Sequence, residues 1–319
     1  MFIKTKLFYS KAYSFFNTPV SLAPLAVFRI IIAAFTLLQA ILWYNDWLAF
    51  FGKDGWIQWE ISQALISDLT LHMSKVYSFF SFLHISEDAF VMFFFWLYVV
   101  SALSLMVGLY TRFFSILTFL CHYIMMCTIG VFVYGVDIFL QIALFYIMLM
   151  PVARAFSLDA LLKRVPTTSS WEVTLSLRVL QIHLCLIYLS AGHEKLISPE
   201  WWSGNVIWRS LVQPDFSQYN FTWMANKPWF FITLSWLTIA VETFYCIAIW
   251  IRGLRVFWLL AIIMLHIGIS IFLGLWFFGL IMILLSVAAF GFEALKDIKS
   301  WKPKIGSLKS KVGGLRVDI

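Results

Sequence analysis

Ala89-Phe-Val-Met-Phe-Phe-Phe-Trp-Leu-Tyr-Val-Val-Ser-Ala-Leu-Ser-Leu-Met-Val-Gly-Leu-Tyr110 contains no charged side chain. A helix of about 20 apolar residues crosses the hydrocarbon core of a bilayer. Seven further runs of this character flank the stretch: Ala23–Tyr44, Phe113–Val133, Val136–Val152, Val173–Ala191, Trp229–Ile251, Leu254–Gly274 and Leu275–Phe292. The fourth run in chain order is short, and the last two almost abut. The pattern predicts an all-α, polytopic integral membrane bundle of about eight transmembrane helices.

Composition supports the same reading. The chain is 62% hydrophobic and 12% charged, whereas soluble domains carry about a quarter charged residues. There is too little polar surface to coat a water-soluble globule. The 19% of Phe, Trp and Tyr suits aromatic belts at membrane interfaces. The net charge of +7 is explained by membrane topology rather than by nucleic acid. Cationic residues gather in cytoplasmic loops. With the N-terminus inside, the inner segments hold Lys4, Lys6, Lys11, Arg112, Arg154, Lys163, Arg164, Arg252, Arg255 and the seven cations from Lys296 to Arg316, whereas the outer loops hold only Lys53, Lys75, Lys195, Arg209 and Lys227. This split predicts cytoplasmic termini. It also predicts two outward loops, Asn45–Asp88 and Gly192–Pro228, whose tryptophans lie on the membrane. The organisation expected is a basic segment over 1–22, one membrane domain over 23–292, and a basic, headgroup-binding tail over 293–319. No cleavable signal peptide precedes the first span. Cys121, Cys127, Cys185 and Cys246 lie inside apolar runs and read as packing residues.

Ionisable groups inside spans are costly and mark interiors or cavities. Here they are Arg29, Asp137, Arg178, Glu242 and His266, with His122 and His183 as weaker cases. Arg29 and Arg178 can be balanced by Asp137 and Glu242. Such charges form either buried pairs that fix helix packing or a polar pocket for a headgroup-like or quinone-like ligand. Arg178 and Gln181 share a helix face and suit a pocket wall. No His/Cys spacing of a metal site occurs. The most informative segment is Tyr188-Leu-Ser-Ala-Gly192-His-Glu-Lys195-Leu, followed by Pro199-Glu-Trp201-Trp-Ser-Gly204. Lys195 at a helix end reads either as a snorkelling interfacial lysine or as a base held against apolar walls.

This segment resembles the vitamin K-dependent γ-carboxylase superfamily in its bacterial HTTM (horizontally transferred transmembrane) branch. Supporting pieces are Phe28-Arg29-Ile30, Tyr134-Gly135-Val-Asp137, Pro151 with Ser157-Leu-Asp159, Val241-Glu242 and Leu265-His266. The resemblance implies that Lys195 takes the position of the base that deprotonates vitamin K hydroquinone. It also implies that His266 matches a catalytic histidine and that the active site opens outward. The implied cofactor is a reduced quinone. The implied ligand pocket takes in Arg29, Asp137, Arg178, Gln181, Tyr188, Trp201, Gly204 and Glu242. Two departures point away from full glutamate carboxylation: no histidine lies between Gly130 and Tyr134, and no lumenal substrate-binding domain follows. The expected function is therefore a quinol-dependent, carboxylase- or epoxidase-like (lyase-type) membrane enzyme acting on a quinol or on a membrane-bound or exported peptide. The alternatives are a non-enzymatic maturation, export or scaffold partner for a secreted peptide, and lipid binding or transport.

Overall fold

A computed structural model describes the backbone of residues 2–67, 69–216 and 218–313, and the side chains of 9–67, 69–216 and 218–300. Lys4, Lys6 and the tail cations from Lys302 onward lie outside the described side chains. The secondary structure of the described residues is helix alone, with no strand. The chief helices are α1 (Phe2–Asn17), α2 (Ala23–Trp43), α3 (Glu87–Val107), α4 (Thr111–Thr128), α5 (Gly135–Leu149), α6 (Trp171–Leu196), α7 (Pro228–Ala248), α8 (Arg255–Leu273) and α9 (Trp276–Gly313). Seven are long and apolar enough to cross a bilayer, and α5 is a shorter apolar helix. The chain is an integral membrane protein with the expected eight apolar helices. At 1.5 Å per residue α5 spans about 22 Å, less than a hydrocarbon core of about 30 Å.

Contacts divide the chain into two compact units, 1–178 and 179–319. The divide falls inside the continuous helix α6, so no linker or change of composition marks it in the sequence.

In the first unit, the loop between α2 and α3 folds into short helices over Trp47–Phe51, Trp59–Leu65 and Met73–Phe80. The loop was expected to lie on the membrane, yet Trp47, Phe51, Trp59 and Met73 are core residues packed with Phe90, Phe94, Phe95 and Tyr98. The indoles satisfy their N–H groups on backbone: Trp47 donates to Val91 O at 3.1 Å and Trp59 to Phe51 O at 3.0 Å. A ring of this size fills core volume well once its single donor is met. Trp56 is the one of the three that stays exposed.

Several motif residues of this unit are helix-end anchors. Gly108 ends α3 at φ +74°, a left-handed turn that glycine makes without strain. The guanidinium of Arg29, fully buried, donates to Leu105 O at 2.5 Å, Met106 O at 2.7 Å and Phe156 O at 2.5 Å. The last carbonyls of a helix have no partner within it, and Arg29 supplies one to two of them. A Cβ on Gly108 would stand 2.7 Å from that guanidinium and 2.3 Å from Ser157 Cβ. Asp159 serves the start of the next helix. Its carboxylate accepts from Tyr110 N at 3.0 Å, from Thr111 N at 2.7 Å and from Thr111 Oγ1 at 2.7 Å. Burial works against its ionisation, but these bonds and Arg164 together outweigh burial and hold its carboxyl below the ordinary value.

Candidate functional site

The second unit is organised by one stripe of α6. Gln181, Tyr188 and Lys195 recur every seven residues, so they share a face. Successive members are about 10 Å apart along the axis. Gln181 is therefore about 21 Å from Lys195 along the helix and does not join the same pocket wall. It donates instead to Ala289 O of α9 at 2.7 Å.

Lys195 is the last member of the stripe along the chain. Its Nζ lies 2.7 Å from Glu242 Oε2, and the side chains are 17% and 8% exposed. It also donates to Ala191 O at 3.3 Å, one turn back along α6, and stands 5.0 Å from the Trp201 ring centre. A snorkelling lysine at this helix end extends its ammonium onward to the headgroups. Lys195 does the opposite, folding back toward a carboxylate fourteen residues into α7, about 21 Å along the axis from Pro228. The ammonium of Lys195 is thus paired with a carboxylate of the neighbouring helix.

Gly192 makes the pairing possible. A Cβ at Gly192 would stand 2.5 Å from Thr243 Oγ1, 2.7 Å from Thr243 N and 2.8 Å from Thr243 Cα. Only hydrogen fits there, so α6 and α7 approach closely beside Lys195 and next to Glu242. Gly204 plays a similar part at the following turn. It has φ +77°, and a Cβ would stand 2.6 Å from Ile232 N. The segment Pro199–Trp202 is thereby held to α7, and Trp236 Nε1 donates to Trp202 O at 3.1 Å.

One step further in, Tyr188 and Tyr245 form a second rung between the same helices, with ring centres 4.4 Å apart. Tyr245 follows Glu242 by three residues and so shares its face of α7. The Tyr188 hydroxyl meets His266 Nε2 of α8 at 2.9 Å and Ser286 Oγ of α9 at 3.3 Å. His266 is 3% exposed, and among the described residues its Nδ1 has no hydrogen-bond partner. Glycine again permits the approach. A Cβ at Gly279 would stand 2.6 Å from His266 O, which brings α9 onto α8.

The structure thus brings together Tyr188, Lys195, Trp201, Gly204, Glu242 and His266 within one unit. Four expected members belong elsewhere, Gln181 as described above and three in the first unit. Arg29 is committed to carbonyls of the first unit. Asp137 of α5 accepts from Gln39 Nε2 at 3.1 Å and from Tyr134 N at 3.2 Å, where it caps its own helix. Arg178 stacks 4.5 Å over Phe15 and donates to Phe15 O at 3.4 Å. The expected balancing of Arg29 and Arg178 by Asp137 and Glu242 is therefore not the observed pairing, because Glu242 takes Lys195. Sequence reasoning left out Tyr245, Ser286 and Trp236. The i, i+3 spacing of Glu242 and Tyr245 was the signal for the first of these. Among the described residues no group of His, Cys, Asp and Glu is placed to hold a metal ion.

The HTTM domain family matches residues 17–293, a range that contains both units' helices up to the first half of α9. The match agrees with the carboxylase-superfamily resemblance carried by the Lys195 segment. No curated protein and no solved structure matches the chain.

Proposed function

Since the chain belongs to the HTTM domain family, we propose that it is a membrane-embedded acid–base enzyme, with Lys195 as the base and a lipid-soluble hydroquinone as the partner. The observation that carries this reading is the 2.7 Å contact between Lys195 Nζ and Glu242 Oε2, with both side chains largely buried. Buried ionisable pairs within a bilayer are expensive and are commonly functional.

The residues around Lys195 suit a ring-bearing ligand. Trp201 lies against the ammonium, Trp202 and Trp236 present exposed ring surface nearby, and the buried Nδ1 of His266 is free to bond an oxygen. A bound hydroquinone supplies a phenolic hydroxyl, whose proton is about as acidic as that of tyrosine. Glu242 can take a proton from Lys195 Nζ, which leaves a neutral amine. Once Glu242 has passed that proton on to water and is a carboxylate again, the amine can accept the phenolic proton, and the ammonium so formed is balanced by Glu242, with the hydroquinone left as its anion. His266, through the Tyr188 hydroxyl and Ser286, holds the inner rung in place. Trp201 and Gly204 hold the apolar outer wall.

The test is mass spectrometry of molecules that copurify with the protein. A quinone bound to the wild type and depleted in Trp201→Ala is the expected result. Absence of any quinone from protein purified out of quinone-containing membranes would remove the hydroquinone and shift the reading to an exported peptide as partner.

A further inference from the structure

A cavity of about 710 Å³ lies in the first unit, lined by Arg112, Arg154 and Arg164 together with Leu149 and Trp171. It is built where the start of α4, the end of α5 and the start of α6 meet, and the Lys195 site uses none of these residues. Its acids are already occupied. Asp159 faces the N-terminus of α4, as described above, and Glu172 takes Arg154 together with Ser170. Arg164 approaches Asp159 at only 3.6 Å and lies 4.3 Å over the Tyr110 ring. Arg112 gives one nitrogen to Met148 O and is otherwise exposed.

Each guanidinium carries five N–H donors, so the three hold far more donors than the acceptors present can absorb. Three arginines against Asp159 and Glu172 leave an excess of one positive charge. Arginine forks match phosphate oxygens in pairs. The volume is much larger than a bare phosphate requires, and Phe113 and Leu149 expose apolar surface at the rim, where an acyl chain would run. The same arginines are on the side that the cationic split assigns to the cytoplasm, where anionic lipids concentrate.

We propose that this cavity binds the phosphate headgroup of an anionic phospholipid, with Arg112 and Arg164 as its principal donors. The test uses the full chain in zwitterionic detergent, titrated separately with phosphatidylglycerol, phosphatidylcholine and inorganic phosphate, with binding read by native mass spectrometry and by thermal shift. Phosphatidylglycerol should bind one to one and raise the melting temperature, and phosphatidylcholine should not. An Arg112→Gln/Arg164→Gln protein should bind phosphatidylglycerol at least about tenfold more weakly, since each lost charge-assisted bond is worth a tenfold factor or more. Ser176→Trp fills the cavity from α6 while leaving every arginine in place, so it tests the site even if the arginine variants do not fold. It should weaken phosphatidylglycerol binding to a similar degree. Wild-type binding in Ser176→Trp, or equal binding of the two lipids, would overturn the proposal. Binding of inorganic phosphate without phosphatidylglycerol would overturn the lipid as source and leave a small-anion site.

Discussion

Removing either partner of the Lys195–Glu242 pair should cost more than removing both. Glu242→Leu leaves an ammonium that is 17% exposed and has lost its nearest counter-ion, and Lys195→Met leaves a carboxylate that is 8% exposed. Breaking a buried pair in this way costs about 3–5 kcal/mol, whereas replacing both charges with apolar groups of similar volume is often close to neutral. Glu242 is the more enclosed, so Lys195→Met should be the costlier single change, at about 4 kcal/mol, with Glu242→Leu nearer about 3 kcal/mol. The double variant should fall well short of the sum. Reversible unfolding in detergent, followed by circular dichroism across the four proteins of the cycle, measures the coupling. Distant, independent sites add to within about 0.5 kcal/mol. Additivity at that level would refute the claim that the two side chains are energetically paired.

Three further outcomes follow from the geometry. Gly192→Val places a side chain against the Thr243 backbone. It should destabilise by about 1–3 kcal/mol and also diminish the Lys195–Glu242 coupling in the same cycle, whereas an effect on stability with full coupling would show that the close approach does not position the pair. Asp159 has a carboxyl held below its ordinary value, so its stabilisation is complete above the unfolded-state value and is lost as pH falls through the lower folded-state value. Asp159→Asn should therefore be destabilised at neutral pH and show a flatter acid limb in melting temperature against pH, and an unchanged acid limb would count against the cap. The cationic split predicts that Ser203, which is exposed, faces outward. In a cysteine-free background, Ser203→Cys should react with an impermeant maleimide in intact cells, and labelling only after permeabilisation would reverse the orientation.

The membrane fold was legible because hydrocarbon demands long apolar helices whatever their neighbours. All eight runs recur as helices, from α2 to α9, with ends shifted by a few residues except at the last, where α9 continues past Phe292 to Gly313. What composition could not reveal was which buried charge meets which. Arg29 and Arg178 were natural counter-ions for Asp137 and Glu242 in a list of intramembrane charges, yet Arg29 serves helix-end carbonyls and Asp137 serves its own helix start. Both roles depend on backbone groups, which no side-chain inventory displays. The Lys195 segment could be picked out from its small residues and lysine. The reason for Gly192 emerged only with the opposite helix in place, since Thr243 is 51 residues further along the chain. The tryptophans of the first loop misled in a related way. Trp47 and Trp56 look alike in sequence, but only Trp47 finds a carbonyl and a core to fill.

The most direct test of the account is the rate of hydroquinone oxidation by dissolved dioxygen, read as quinone absorbance, with wild type and Lys195→Arg reconstituted into bilayers. Arginine keeps the charge and the partner for Glu242, so the variant should fold and melt like the wild type, but it does not deprotonate in proteins. Loss of a general base lowers rates by about 10²–10⁴-fold. The account predicts oxidation by the wild type above the empty-bilayer rate and a loss of at least about a hundredfold in Lys195→Arg. Equal rates in the two proteins, or no wild-type rate above background, would contradict it.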